Sequence, residues 1–286
     1  MRTYIVLDLE WNQSPIGKEG AVEAIPFEII EIGAVKLDEN LEYMSKFHEF
    51  ISPVVYNDIH HRIYELVHID INYLRDKGKK FLSVIGKFKQ WCYMEGQEPM
   101  FCTWGSMDLS ELQRNMAYHK QENFFEYPLF YYDIQKLFTL DKCEDPKERL
   151  PLEKAVRFLG LPIKGEFHHA LDDAYYTSLL FSKINFEALK VYKSLDLYRS
   201  PNSEEEEIYI KFPEYAKYVS RGFSSREVLM EDKTVKDMLC CKCNRMLRKK
   251  LRWFVDSQKN YYCIAQCPEH GYVRGKIRIR NKQNKG

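Results

Sequence analysis

Asp8 and Glu10 stand two residues apart in the run Tyr-Ile-Val-Leu-Asp-Leu-Glu-Trp at positions 4–11. Four β-favouring residues precede Asp8, which predicts a strand buried on both faces. Alternate residues of a strand share a face, so the two carboxylates are expected side by side at its end. Unshielded, such a pair repels and resists desolvation. A divalent cation offsets both effects, and hard carboxylate oxygens suit magnesium or manganese. An Asp-x-Glu triplet is common on its own, so a real site needs further acidic partners. Asp108 is one candidate. The segment Trp104-Gly105-Ser106-Met107-Asp108-Leu109 follows a short apolar run and opens a helical one, at the kind of strand–helix junction where α/β sheets gather functional groups. The same position also suits a plain N-cap. A third segment reads Phe167-His168-His169-Ala170-Leu171-Asp172-Asp173-Ala174. It puts an imidazole, the side chain whose charge changes nearest neutrality, beside an acidic helix start. Asp172 and Asp173 cannot both face the sheet.

A second chemistry lies near the end of the chain. Cys240-x-x-Cys243 is followed, after 23 intervening residues, by Cys267-x-x-His270. This is zinc-ribbon spacing, two knuckles with a β segment between them. Pro268 and Gly271 suit a knuckle, while Cys241 and Cys263 compete for places in the ligand set. A structural zinc would supply folding energy that a stretch of about fifty residues lacks. Around the knuckles lie Arg248, Lys249, Lys250 and Arg252 beside Trp253, Phe254, Tyr261 and Tyr262. Arg274, Lys276, Arg278 and Arg280 then alternate along an expected strand and so share one face. Cations neutralise phosphates and aromatic rings stack on bases, so nucleic acid is the expected partner. Residues 281–286 are expected to be disordered.

The elements that must position these groups are read from periodicity. Strands are expected at residues 28–37 and 44–51, forming an antiparallel set with the first. Helical spacing covers residues 58–94, and a short strand follows at 99–104. Helices are expected from Leu109 to Tyr118, from Pro151 to Leu159 and from Ala170 to Ile184, with a strand at 130–134. Hairpin strands followed by alternating strands and helices predict an α/β layer built on a mixed sheet. Helical spacing runs on to about Leu197. Ser200, Pro201 and Asn202 then precede Glu204, Glu205, Glu206 and Glu207, a stretch that reads as a linker. The expected organisation is a catalytic domain at 1–190, a helical and acidic linker at 191–235, and a small basic zinc-ribbon-like domain at 236–286.

The 286 residues carry 43 Lys/Arg and 42 Asp/Glu, but the near balance hides an asymmetry. Residues 233–286 hold 15 basic residues against 3 acidic ones, and residues 1–232 hold 28 against 39. An acidic body and a basic end suggest cation chemistry in one and polyanion capture in the other. No run of eighteen apolar residues exists, so no membrane span is expected. Asp8 interrupts any signal-peptide core, and a cytoplasmic protein with reduced, metal-binding cysteines is the expectation.

Taken together, Asp8-Leu9-Glu10, Gly105-Ser106-Met107-Asp108, and His168 with four residues before Asp173 resemble the three motifs of the DEDD superfamily of 3′–5′ exonucleases, in its histidine (DEDDh) subfamily. The resemblance covers residues 4–185. Within the superfamily the chain is similar to the three-prime histone mRNA exonuclease and RNA-interference-related branch, on Phe47-His48-Glu49-Phe50-Ile51-Ser52-Pro53, Glu65-Leu66-Val67-His68-Ile69 and Gly160-Leu161-Pro162. The resemblance implies an RNase H-like fold and two magnesium or manganese ions. It implies that Asp8 bridges both ions, that Glu10 and Asp173 hold the ion carrying the attacking water, and that Asp108 helps hold the other. It makes His168 the general base and leaves His169 to pack elsewhere. The implied product is a nucleoside monophosphate from a free 3′ end of RNA or a short single strand. Trp11 departs from the small residue usual after the motif-one Glu, at the place where the terminal nucleotide approaches. Two other readings use the same residues: a nucleic-acid-binding protein with the nuclease fold as scaffold, and a DNA repair or proofreading exonuclease.

Overall fold

Alternation along the first strand sets up the whole first unit. β1 (Arg2–Gln13) sends Ile5, Leu7 and Leu9 into one hydrophobic cluster and Val6 into another on the opposite face. Ile5, Val6 and Leu7 are fully buried, and each such side chain contributes about 1.5–3 kcal/mol. The computed structural model describes residues 1–163, 165, 167–213, 215–232, 238–240, 242–255 and 260–278. It forms two compact units, Met1–Tyr198 and Arg199–Gly286.

In the first unit β1 pairs antiparallel with β2 (Phe27–Leu37), and β2 with β3 (Tyr43–Phe50). On its other side β1 pairs parallel with β4 (Glu98–Thr103). Next comes the parallel strand β5 (Phe130–Asp133), then the two-residue antiparallel β6 (Ser194–Leu195). The six-stranded mixed sheet has the order β3-β2-β1-β4-β5-β6, an RNase H-like α/β layer. Helical spacing at 58–94 resolves into α1 (His61–Val67), α2 (Ile71–Lys77) and α3 (Phe81–Cys92). α3 and α4 (Asp108–Tyr118) cover one face of the sheet through Val84, Phe88, Leu109 and Leu112. α5 (Ile134–Lys142), α6 (Leu152–Phe158) and α7 (Ala170–Phe181) cover the other through Phe138, Val156 and Tyr176. A short α8 (Phe186–Leu189) follows, so the helical spacing expected to reach Leu197 ends eight residues earlier. Among the described residues, no helix is long and apolar enough to cross a membrane.

Two expectations need correction. Asp8 and Glu10 do not end their strand. β1 runs on through a bulge at Glu10/Trp11 and pairs Trp11, Asn12 and Gln13 with Ile29, Glu28 and Phe27. The polar pair Asn12-Gln13 reads as loop, yet the neighbouring strand satisfies its backbone. The expected linker is also misplaced. Within residues 191–235, Ser194 and Leu195 belong to the first sheet, while β7 (Ile208–Lys211), β8 (Tyr215–Val219) and α9 (Arg226–Glu231) belong to the second unit.

The second unit is a five-stranded sheet of order β7-β8-β11-β10-β9, with β9 at Arg248–Val255, β10 at Asn260–Cys267 and β11 at Gly271–Arg278. β8 joins it by parallel pairing with β11, from Tyr215↔Tyr272 to Val219↔Lys276. No local pattern announces a pairing across more than fifty residues. Arg221 ties the acidic segment to this unit through ion pairs with Glu207 and Asp232. Cys241, Arg280 and residues 281–286 lie outside the described residues.

Candidate active site

Three elements deliver four carboxylates to one cleft of about 360 Å³, flanked by Trp11 and Trp104. β1 supplies Asp8 and Glu10. α4 supplies Asp108, and α7 supplies Asp173. Each local structure explains its side chain's direction. Gly105, at φ 109°, turns the chain out of β4, a conformation that costs other residues strain. Asp108 follows as the first residue of α4. It is not the N-cap its position suggests: Met107 holds that place, without a side-chain cap bond. The Asp108 carboxylate points back to β1, where Oδ1 accepts from the Leu9 N–H at 3.2 Å. This bond fixes the motif-two aspartate against the strand carrying the other two.

Asp173 sits in the first turn of α7, and it resolves the choice with Asp172. Asp173 is only 8 % exposed, and its Oδ2 accepts from the His168 N–H at 3.2 Å. His168 adopts a left-handed backbone with φ 68°, the kind of strained position that concentrates at functional sites. One ligand atom each from Glu10, His168 and Asp173 lies within 4.8 Å of the others. The close seat of α7 depends on Gly33 of β2, paired with Asp8. A Cβ on Gly33 would stand 2.1 Å from the Ala170 carbonyl carbon and the Leu171 nitrogen.

The electrostatics are those of a site built for cations. Burial, then Asp108 and Asp173, pushes the Asp8 carboxyl well above the usual carboxylate range. Burial and Asp173 push Glu10 to about 8. Burial leads for Asp108 and Asp173 as well, each raised to about 7. Asp173 Oδ1 is buried and makes no hydrogen bond, a costly state for a carboxylate oxygen. The donors are hard oxygens held on rigid elements. They fit a divalent cation such as magnesium or manganese, and Asp8, Glu10, Asp108 and Asp173 are the residues that would hold it.

Behind this cluster sits a fifth carboxylate that the sequence did not single out. Glu31 pairs with Glu10 across β1 and β2 and is 1 % exposed. His48 Nε2 lies 2.7 Å from Glu31 Oε1, and His169 Nδ1 lies 3.8 Å from Oε2, beyond hydrogen-bond length. Burial raises the Glu31 carboxyl, yet the two imidazoles outweigh it and the net shift is downward. His169 thus lies beside Glu31 of β2. The strand pattern around Glu31 looks like uninterrupted core, and the register that sets it beside Glu10 is not a local signal.

In the second unit Cys240, Cys243, Cys267 and His270 converge, with ligand atoms all within 4.8 Å of one another. Cys243 Sγ and Cys267 Sγ are 3.8 Å apart, and His270 Nδ1 is 3.6 Å from Cys240 Sγ and 3.5 Å from Cys267 Sγ. A tetrahedron with Zn–S bonds near 2.3 Å has S···S edges of about 3.8 Å, so the set fits zinc. Cys263 is excluded: it is buried in the sheet core against Met238. Arg248, Lys250, Arg252 and Arg274 are exposed and Lys249 is half-buried, while the side chains of Lys276 and Arg278 lie outside the described set. Trp11 is half-buried, 5.8 Å from the Phe27 ring, and packs on the core while lining the cleft.

Residues 5–181 match the RNase_T family model, described as Exonuclease. The nuclease domain of 3′hExo, a DEDDh family member, bound to rAMP, superposes with a TM-score of 0.55 at 18 % identity, over 68 % of this chain and 96 % of that one. A 3′-exonuclease in 3′-end-specific recognition of the histone mRNA stem-loop gives 0.52 at 20 %, over 63 % of this chain and 62 % of that one. The zinc-bound E. coli ExoI–ssDNA complex gives 0.51 at 14 %, over 64 % and 40 %. At these identities the likeness is one of fold. No curated protein matches the chain.

Proposed function

This chain belongs to the exonuclease family, and we propose that within it the protein is a metal-dependent 3′–5′ exonuclease of the DEDDh type, releasing nucleoside monophosphates from a free 3′ end. The observation that carries this reading is the convergence of Asp8, Glu10, Asp108 and Asp173 from three elements, with His168 beside them. A structure that serves only as scaffold gains nothing from holding four repelling carboxylates together.

Exonucleases of this family use divalent metals such as magnesium. Two such ions, when bound, stabilise the charge that develops on the attacking and leaving oxygens of a phosphodiester. The protein's own part is to hold donors and move a proton. Asp8 stands centrally among the acids and is suited to serve both ions. Glu10 and Asp173 are suited to the ion nearest His168, and Asp108, pinned by the Leu9 N–H, to the other. His168 takes a proton from the attacking water as general base. Its exposed side chain reaches both the cleft and solvent, so the proton can leave. Trp11 and Trp104 flank the place where the last nucleotide enters.

We assign zinc to Cys240, Cys243, Cys267 and His270, where it staples a small sheet. The cations of β9 and β11 then engage phosphates. We take RNA as the substrate to test first: rAMP and a histone mRNA stem-loop are the ligands named for two proteins of the same fold, and single-stranded DNA for a third. The test is release of label from matched 3′-labelled RNA and DNA, single- and double-stranded, with magnesium or manganese. Faster release from RNA supports the reading, and equal or faster release from DNA overturns the substrate assignment.

A further inference from the structure

Among the described residues, one face of the second unit's sheet carries exposed side chains. Along β10, Tyr261, Cys263, Ala265 and Cys267 are buried, while Tyr262, Ile264 and Gln266 between them are not. Strand alternation places those three on the opposite face. Directly paired residues of neighbouring strands share a face. Across two register shifts, between Tyr262 and Ile264 and between Ile264 and Ala265, the pairing adds Phe254, Leu251 and Arg248 from β9, opposite Tyr262, Ile264 and Gln266. It also adds Arg274 and Tyr272 from β11, opposite Ile264 and Gln266. Phe254 is 46 % exposed, Tyr272 49 % and Leu251 44 %. The Phe254 and Tyr262 rings lie 5.9 Å apart and tilted by 36°.

An open apolar face invites aggregation unless it has an occupant. Its charge says which. Arg248 and Arg274 stand exposed among the rings on the two flanking strands, and residues 199–286 carry 20 Lys/Arg against 11 Asp/Glu. Rings for bases and guanidinium groups for phosphates are the two components of single-strand recognition. A duplex hides its base faces and cannot use the rings. We propose that the outer face of β9, β10 and β11 is a stacking platform for the bases of single-stranded nucleic acid, with Phe254 and Tyr272 as its principal rings. This deepens the exonuclease reading and rests on it for the choice of ligand class.

The test measures binding by the full chain, without added magnesium so that the strand survives. Fluorescently labelled oligo(U) and oligo(dT) of about twelve nucleotides are compared with an abasic strand of equal length. Wild type binds the base-bearing strands more tightly than the abasic one. Phe254→Ala weakens binding to the base-bearing strands by about 10-fold and leaves the abasic affinity unchanged, and Phe254→Trp restores it. Equal losses on all strands, or none, overturn the platform. Hydrolysis by wild type after magnesium is added separates the two claims. If Phe254→Ala binds as wild type while wild type hydrolyses the strand, the platform falls and the exonuclease reading stands. If base-dependent binding is seen but no hydrolysis follows, the exonuclease reading falls and the platform stands. Oligo(U) against oligo(dT) shows which strand the face holds better.

Discussion

Gly33 of β2 lies directly under the first turn of α7, where any Cβ would meet the Ala170 carbonyl carbon at 2.1 Å. Backbone cannot yield as a flexible side chain can, so one methyl group displaces the helix. Gly33→Ala is expected to cost about 1–3 kcal/mol of stability. The displaced helix carries Asp173 away from Glu10, and a misplacement near 1 Å costs about 100-fold in rate. Thermal melting and turnover on the same preparation check this. A stable variant with wild-type turnover would show that α7 is not held in this way.

Without a bound cation, the buried acids make stability depend on pH. Asp108 and Asp173 rise from 3.8 to about 7 and Glu10 from 4.5 to about 8. Between those limits the folded protein binds more protons than the unfolded chain, so stability falls as pH rises. Glu31 acts oppositely, since its lowered value contributes stability that is lost on acidification. Without added divalent cation, the melting temperature of the first unit should fall from pH 5 to pH 8. Manganese should reverse the trend and stabilise more at pH 8, by about 2.7 kcal/mol at a hundredfold excess over Kd. Metal stabilisation that does not depend on pH would contradict the electrostatic account.

The Cys3His set predicts which thiols matter. Cys267→Ser should lose zinc, measured by elemental analysis of the full chain, and melt the second sheet. Cys263→Ser should keep the metal at wild-type stoichiometry, because that thiol packs against Met238 in the core. Zinc retained in Cys267→Ser would put the ion elsewhere.

Much of this was legible locally. Strand alternation gave the shared face of Asp8 and Glu10, and helical spacing gave α3, α4 and α7. Cysteine spacing gave three thiols and His270, although the choice against Cys263 required the sheet register. The misses have one physical cause, pairing between distant segments. β8 lies in an acidic stretch that looked like linker because its partner, β11, comes more than fifty residues later. Asp108 was a candidate ligand from the start, but its N-cap alternative stayed open because only the fold shows the Leu9 N–H in front of it. Glu31 was not singled out because its neighbours Glu10, His48 and His169 come from three other segments.

That buried Glu31 also yields a prediction. His48→Ala removes the imidazole 2.7 Å from Oε1 and leaves a buried carboxylate short of a partner. A loss of about 1–3 kcal/mol is expected, and the double variant His48→Ala with Glu31→Gln should recover part of it. Denaturant unfolding of wild type and the two variants checks this. No recovery would mean that His48 stabilises by packing alone, for instance through its contact with Phe50.

The most direct test of the central claim is Asp108→Asn assayed on a 5′-labelled single-stranded oligonucleotide with magnesium. Asparagine keeps the shape and still accepts from the Leu9 N–H, so the fold is preserved while one anionic ligand is lost. Wild type should shorten the strand one nucleotide at a time from its 3′ end, and the variant should do so about 100- to 1,000-fold more slowly. Wild-type turnover by a folded Asp108→Asn protein would contradict the assignment of this site.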